Sequence, residues 1–508
     1  MRTRSKSYPD FFSAGWRDFP AYWRRRATRG AVLIGLTGLM ALPVAAQNPP
    51  KTEAAEPAPQ AIGQPGSRLA AVRAVVRLYD PLRPYLAPRI VEWYGSGGWL
   101  GEGQVLTDLQ LVRFASHIEF WESGKSVSDA GQVARLQHQG LDSGLAVIAA
   151  GGGPAKPAPA SAVSLFAPAE AALPKPGSAL QIVSAGSRGQ SSASVTVARV
   201  NLQSIDPRAA IIGSDIDFAR VLRPAALPGI AGRESRSGGP VFAGRQRIGI
   251  YIQERGLGGR PDAAAGTARR YVLDARTVRA FLQDILADGR YDGAPDLGLH
   301  WNGLQSAAVR AELGPGVRAL KGGVLVRRVD AASPLRGQLR PGDVLTAIGG
   351  QSLDFSGRVS DGQLLLFEDW LRTRNDAART ALIFAGLRAG QPFQAQVDLR
   401  VRADQKRATR PGRMRRLDQP GYFLAGGLIF QELEYDLMHA SRAVAGAGLP
   451  ASEAEIRHRY YNYASERVQE QVDRDIVLTA RLAAAVNADA AAFVNGVVRS
   501  ITGRRVRN

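Results

Sequence analysis

The chain contains no cysteine in its 508 residues. That absence removes disulfide staples, zinc-thiolate sites and a cysteine nucleophile together. Histidine is nearly as scarce, at His117, His138, His300, His439 and His458. No His/Asp/Glu pair stands at helical ligand spacing with a third ligand in view, so neither a metal nor another cofactor is expected. Long apolar runs are also missing. The stretch from Ala31 to Leu42 falls short of the roughly 20 residues that span a bilayer, which argues against a stable membrane span. Acidic residues number 45 against 65 lysines and arginines, leaving a formal charge of +20. Such a surplus attracts anions at low salt. It is spread over several segments without a nucleic-acid motif, so it reads as basic solvated surface, with no specific nucleic-acid partner.

What is present begins with an address label. Arg24, Arg25, Arg26 and Arg29 precede the apolar stretch, and Val44-Ala45-Ala46 follows it. Positive, apolar and small residues in that order form a secretory signal peptide over 1–46, with cleavage expected after Ala46 and export to the periplasm. Residues 47–68 are rich in Pro, Ala and Glu without hydrophobic periodicity, and read as a flexible linker.

The remainder is long enough for about three domains. With 56 glycines and 30 prolines it favours short strands and turns over helical bundles. Residues 69–289 show short apolar runs at Val72–Leu78, Gln104–Leu106, Gly144–Ile148, Leu180–Val183, Ser194–Val200 and Arg247–Ile252. That spacing predicts a mainly β unit, split near Gly151–Pro159 into two small barrels. A closing helix follows, capped by Asp274, with Val278, Phe281, Leu282 and Ile285 on one stripe. A second unit, 291–402, has expected strands at Gly323–Val329 and Val344–Ile348 and a helix over Leu364–Arg374. A basic linker, 403–419, leads to a third unit, 420–508. Val344–Leu353 is echoed by Val497–Val506, both reading as strand, glycine turn and resumed strand.

Several motifs carry a resemblance. Ser235-Arg236-Ser237-Gly238-Gly239-Pro240-Val241 places a serine before Gly-Gly-Pro and an apolar strand. Gly95-Ser96-Gly97-Gly98-Trp99-Leu100 leads into Gln104-Val105-Leu106-Thr107-Asp108-Leu109-Gln110-Leu111-Val112, and Asp142–Ile148 follows. In this order the segments resemble the DegP/HtrA trypsin-like serine proteases. The resemblance implies a trypsin-like double β-barrel for 69–289. It sets Ser237 at the nucleophile, Gln110 at the histidine, Gly144 at the aspartate, and Ser235 at a glycine that lends an oxyanion-hole N–H. An amide cannot accept a proton near pH 7, and glycine has no side chain to orient a base. The expectation is a degenerate protease domain whose Ser237 hydroxyl has no neighbour able to take its proton. Asp142 is expected to be a solvated turn carboxylate.

Leu297-Gly298-Leu299-His300-Trp301, Gly322–Val329, Ser333-Pro334 and Leu339–Gly350 resemble a PDZ domain of the same family. The resemblance implies that Leu297, Gly298 and Leu299 form a carboxylate loop and that a helix bearing Phe367 and Leu371 walls a peptide groove. Gly421–Leu433 and Arg474–Asn508 resemble a second PDZ-like unit, which is expected to be incomplete. The implied fold is two trypsin-like barrels followed by two PDZ-like α+β domains. The implied partners are peptides or proteins, exposed C-termini or unfolded segments, and other copies of the chain in a trimer. The function expected is a binding, scaffolding or regulatory pseudoprotease. The alternative is an active serine endopeptidase of envelope protein quality control, using Ser237 with a non-standard base.

Overall fold

A computed structural model describes residues 68–80, 82–123, 131–151, 157–168, 173–186, 194–209, 219–224, 236–253, 270–293, 297–329, 333–359, 365–372, 381–399, 421–433, 437, 476–482, 485–501 and 503–505. Residues 1–46, expected to be a signal peptide, the expected linkers 47–67 and 403–419, and Ser235 lie outside the described residues. Among the described residues, no helix is long and apolar enough to cross a membrane.

The first six strands are β1 (Leu69–Leu78), β2 (Arg89–Gly101), β3 (Gln104–Asp108), β4 (Ala115–Glu122), β5 (Gln132–Gly140) and β6 (Leu145–Ala150). They close into a barrel in the order β1-β2-β3-β6-β5-β4. A four-residue helix, α1 (Leu109–Val112), follows β3 directly. After α2 (Ala160–Ser164) come β7 (Ala179–Gly186), β8 (Ser194–Ala209), β9 (Ala219–Pro224), β10 (Pro240–Ala243), β11 (Gln246–Gln253) and β12 (Arg270–Asp274). These close a second barrel in the order β10-β11-β12-β9-β8-β7. The two orders are permutations of one another, and closure leaves no exposed sheet edge.

Strand periodicity explains how the barrels join. Side chains alternate across a strand with period two. In β1, Ala70, Val72, Ala74 and Val76 fill the first barrel, whereas Leu69 and Ala71 meet Val183, Ala185 and Phe242 of the second. In β6, Ala146 and Ile148 point inward, while Leu145 and Val147 join Ile250, Ile252, Tyr271 and Leu273 in a core between the barrels.

The closing helix α3 (Ala275–Asp288) docks on that core through Val278, Phe281, Leu282 and Ile285, all within 1% of full burial. Asp274 caps it by accepting from the Thr277 amide at 3.1 Å, and Gly289 ends it at φ 78°. A left-handed residue of this kind satisfies the last carbonyls of a helix.

The next unit comprises β13 (Leu299–Gly303), α4 (Ala307–Glu312), α5 (Pro315–Arg318), β14 (Val324–Val329), β15 (Val344–Ile348), β16 (Gln351–Ser352), α6 (Phe367–Arg372), β17 (Ala381–Arg388) and β18 (Gln391–Asp398). Its sheet runs β13-β14-β15-β17-β18, with β16 pairing β15, so β13 is an edge. The Pro341-Gly342-Asp343-Val344 turn is fixed from inside. Asp343 is buried, accepts from the Arg340 amide, and receives two bonds of 2.8 Å from Arg388. Helix α6 is described over Phe367–Arg372 and begins after Leu366, which forms a bridge with Arg358; Leu364, Thr373 and Arg374 of the expected helix lie outside the described residues.

The last unit holds β19 (Tyr422–Ala425), β20 (Leu428–Glu432), β21 (Ile476–Arg481) and β22 (Val497–Val498) in one sheet. A hairpin of β23 (Ser500–Ile501) and β24 (Arg504–Arg505) follows. Its sequence echo is therefore a structural one: Gly349 and Gly350 turn β15 into β16 at φ 57° and 80°, and Gly503 at φ 79° does so before β24.

Candidate active-site remnant

The segment Gly95-Ser96-Gly97 of β2 lies where the barrels meet, and it admits nothing larger. A Cβ on Gly97 would stand 2.3 Å from Val105, and one on Gly95 would stand 2.2 Å from Leu111 and 3.0 Å from the Ser237 carbonyl. The Ser96 amide donates to that carbonyl at 2.8 Å, and the Ser96 hydroxyl accepts from the Ala185 amide at 2.9 Å. Gly238 follows Ser237 at φ 97°. A Cβ there would sit 2.0 Å from the Ser96 carbonyl oxygen and 2.6 Å from Thr107 Oγ1. Glycine is thus required twice over, by conformation and by space.

This frame places Ser237 at the barrel interface, where it is 1% exposed. Its hydroxyl donates to Asp108 Oδ2 at 2.6 Å and accepts from the Gln253 amide at 2.9 Å. The sequence expectation that no neighbour can take this proton is corrected here, since a carboxylate stands beside it. Asp108 ends β3 and caps α1, its Oδ1 accepting from the Gln110 amide at 2.9 Å. One carboxylate therefore ties the serine to the first turn of the helix that bears Gln110. Gly144 is brought to the same place by its backbone: its carbonyl accepts from the Leu109 amide at 3.0 Å, and its φ is 71°. Among the described residues, no imidazole hydrogen-bonds Ser237. His117 pairs with Glu119 at 2.9 Å on the outer face of the first barrel, and His138 is buried in β5 opposite Val147.

Sequence reading missed Asp108. An aspartate before an apolar helical turn signals an N-cap, but its second oxygen reaches a partner 129 positions away. It also misjudged Asp142. That carboxylate accepts from the Tyr291 hydroxyl at 2.6 Å, and Tyr291 packs against Phe281 with ring centroids 4.7 Å apart. Burial and the neighbouring Asp142 charge raise the phenol well above its usual range. In β11, burial likewise pushes Tyr251 up to about 12. The Tyr251 backbone exchanges bonds of 2.8 Å with Gly238 and Gly239.

In the unit of β13–β18, Leu297 and Leu299 are 6% and 8% exposed, and Phe367 and Leu371 are 0% and 2% exposed; all four belong to its core. Gly298 has φ 53°. The Leu297 carbonyl accepts from the Ser333 hydroxyl, which also accepts from the Leu335 amide. The apolar residues assigned to a groove thus serve packing first. Among the described residues, no group of three or more His, Asp or Glu side chains could hold a metal ion.

Comparison with known proteins finds similarity of three kinds. Residues 414–508 match the model of a PDZ domain. Over 382 residues, 72% of this chain, the sequence is 25% identical to "Protease Do-like 2, chloroplastic" of Arabidopsis thaliana, and it spans 56% of that relative's length. Among solved structures, an HtrA-type protease, AlgW, with a decapeptide is similar at TM-score 0.44 and 18% identity, covering 68% of this chain and 98% of that one. The serine endoprotease from Yersinia pestis is similar at TM-score 0.39 and 15% identity, covering 67% and 96%. With its PDZ match over residues 414–508 and its likeness to a Do-like protease, the chain is similar to the DegP/HtrA proteases that carry PDZ domains.

Proposed function

We propose that this chain is a pseudoprotease of its family, exported to the periplasm, that binds peptides or unfolded segments through its PDZ-like units instead of cutting them. The observation that carries the reading is the state of Ser237: buried to 1%, its hydroxyl spent on Asp108 and the Gln253 amide, with Gln110 and Gly144 at the positions of base and orienter. A nucleophile needs a base with a suitable proton affinity and an open line to the substrate carbonyl. Loss of the base typically removes on the order of 10⁴-fold in rate. The test is a fluorophosphonate probe with casein as substrate. No labelling of Ser237 is expected, and no cleavage that Ser237→Ala abolishes; stoichiometric labelling overturns the reading.

The alternative is a serine endopeptidase with Asp108 as its base, and the 2.6 Å contact is what favours it. A carboxylate is a much weaker base towards an alcohol than the imidazole it would replace. Asp108→Asn would abolish casein cleavage under the alternative, and there would be none to abolish under the main reading.

Partners follow from the PDZ-type architecture. β13 is an edge strand, and an extended peptide adds to such an edge through backbone hydrogen bonds, its terminal carboxylate captured by backbone amides. Leu297 and Gly298 precede that edge and Leu299 opens it, and Phe367 and Leu371 lie in the helix beside it. Self-association, as a trimer by analogy with the family, completes the proposal. Peptide capture with free and with amidated C-termini tests carboxylate recognition, and light scattering tests assembly.

A further inference from the structure

Trp301 lies in the edge strand β13, and Glu368 lies in the first turn of α6. The Trp301 indole Nε1 donates to Glu368 Oε1 at 2.9 Å, although the residues are 67 positions apart. The Trp301 ring packs on Phe367 with centroids 5.3 Å apart and planes inclined at 47°. On another side it rests against Gly357, where a Cβ would stand 2.5 Å from the ring. Glycine at φ 81° is therefore what lets the indole lie flat there. Gly357 is held in turn, its carbonyl accepting from the Phe367 amide at 3.0 Å. Both Trp301 and Glu368 are only partly buried.

A peptide that extends the sheet at β13 must run along the free edge of that strand, beside α6. Its side chains then enter the space that the indole bridges. We infer that the Trp301–Glu368 hydrogen bond is a latch closing the groove between β13 and α6, and that an incoming peptide strand has to displace it. The inference rests on the peptide-binding reading above. It adds that the resting groove is self-occupied and that the Trp301–Glu368 contact helps to hold it closed. Trp301 is thereby a gating residue, and the ligand it admits is an extended peptide with a small side chain at the level of the indole. A neutral-to-charged hydrogen bond contributes about 1.5–3 kcal/mol at most, and a partly exposed one less. Release of the latch should therefore tighten peptide binding by about 3- to 10-fold.

The test uses the full chain and two independent readouts. The first is the indole N–H resonance of Trp301 in a ¹⁵N-tryptophan spectrum, assigned by its loss in Trp301→Phe. In Glu368→Ala that proton should shift upfield and exchange faster with solvent, while Glu368→Gln, which keeps an acceptor, should stay near wild type. The second is binding to an array of random decapeptides with free C-termini, where Glu368→Ala should bind its best peptides about 3- to 10-fold more tightly than wild type. An indole resonance unmoved by Glu368→Ala overturns the latch, whatever the peptides do. Weaker peptide binding by Glu368→Ala overturns it as well, since Glu368 would then be a ligand contact. A resonance that moves while no peptide binds wild type or variant overturns the peptide-binding reading, and the gating proposal with it.

Discussion

The Ser237 hydroxyl points at the Asp108 carboxylate, 2.6 Å away, across the seam between two barrels. The same Asp108 caps the helix that carries Gln110. A serine that is part of a clasp behaves differently on mutation from a serine that waits for substrate. Removing the hydroxyl leaves a buried carboxylate oxygen and the Gln253 amide without this partner. A buried hydrogen bond to a charged acceptor contributes about 1.5–3 kcal/mol, so Ser237→Ala should lower stability by about 2 kcal/mol. Chemical denaturation followed by intrinsic fluorescence reads this, with a fall in the transition midpoint as the expected outcome. A variant as stable as wild type contradicts the clasp.

Rebuilding the missing residues should not rebuild a protease. In Gln110→His combined with Gly144→Asp, the serine proton still faces Asp108, and Ser237 is still 1% exposed. Position 144 also carries φ 71°, where a side chain costs about 1 kcal/mol or more. The double variant should be less stable than wild type and show no casein cleavage above the Ser237→Ala background. Cleavage restored by these two changes alone would place the site closer to working order than its burial implies.

How much of this was legible in the chain depends on how far apart the partners lie. The closing helix was readable because its cap and its stripe of Val278, Phe281, Leu282 and Ile285 are local, and helical periodicity encodes them directly. The two hairpins at Gly349-Gly350 and Gly503 were readable for the same reason. The Asp108–Ser237 and Asp142–Tyr291 bonds span 129 and 149 positions. No local pattern records which of many carboxylates a fold will bring to a hydroxyl. Phe367 and Leu371 illustrate a second limit: apolar residues at helical spacing fit a core and a groove wall equally well, and only their burial tells the two apart.

Gly238 offers a harsher test of the interface. Alanine there faces φ 97° together with a Cβ 2.0 Å from a backbone oxygen, and backbone cannot move aside as a side-chain tip can. Gly238→Ala should destabilise by about 3 kcal/mol or more. Soluble yield and melting temperature should both fall well below those of Ser237→Ala, although the substitution only adds a methyl group. A Gly238→Ala protein with wild-type melting would mean that the Gly95–Gly97 and Gly238–Gly239 segments do not meet as described.

Acid should act on the fold through Asp354. This carboxylate organises the turn that carries Gly357, its Oδ1 accepting from the Ser356 and Arg358 amides at 2.8 and 2.9 Å and from the Ser356 hydroxyl. Partial burial works to raise its pKa, but those hydrogen bonds and the Arg358 charge outweigh it, and the folded value lies below the ordinary 3.8. For a depressed carboxylate, the stabilisation is fully present above the unfolded pKa and is lost as pH falls through the lower folded one. Asp354→Asn should therefore be less stable than wild type by a constant margin at neutral pH, and the margin should shrink below about pH 4. Denaturation midpoints of the two proteins measured from pH 7 to pH 2.5 are expected to converge at the acid end. A margin that instead widened on acidification would mean that burial, not hydrogen bonding, sets the charge of Asp354.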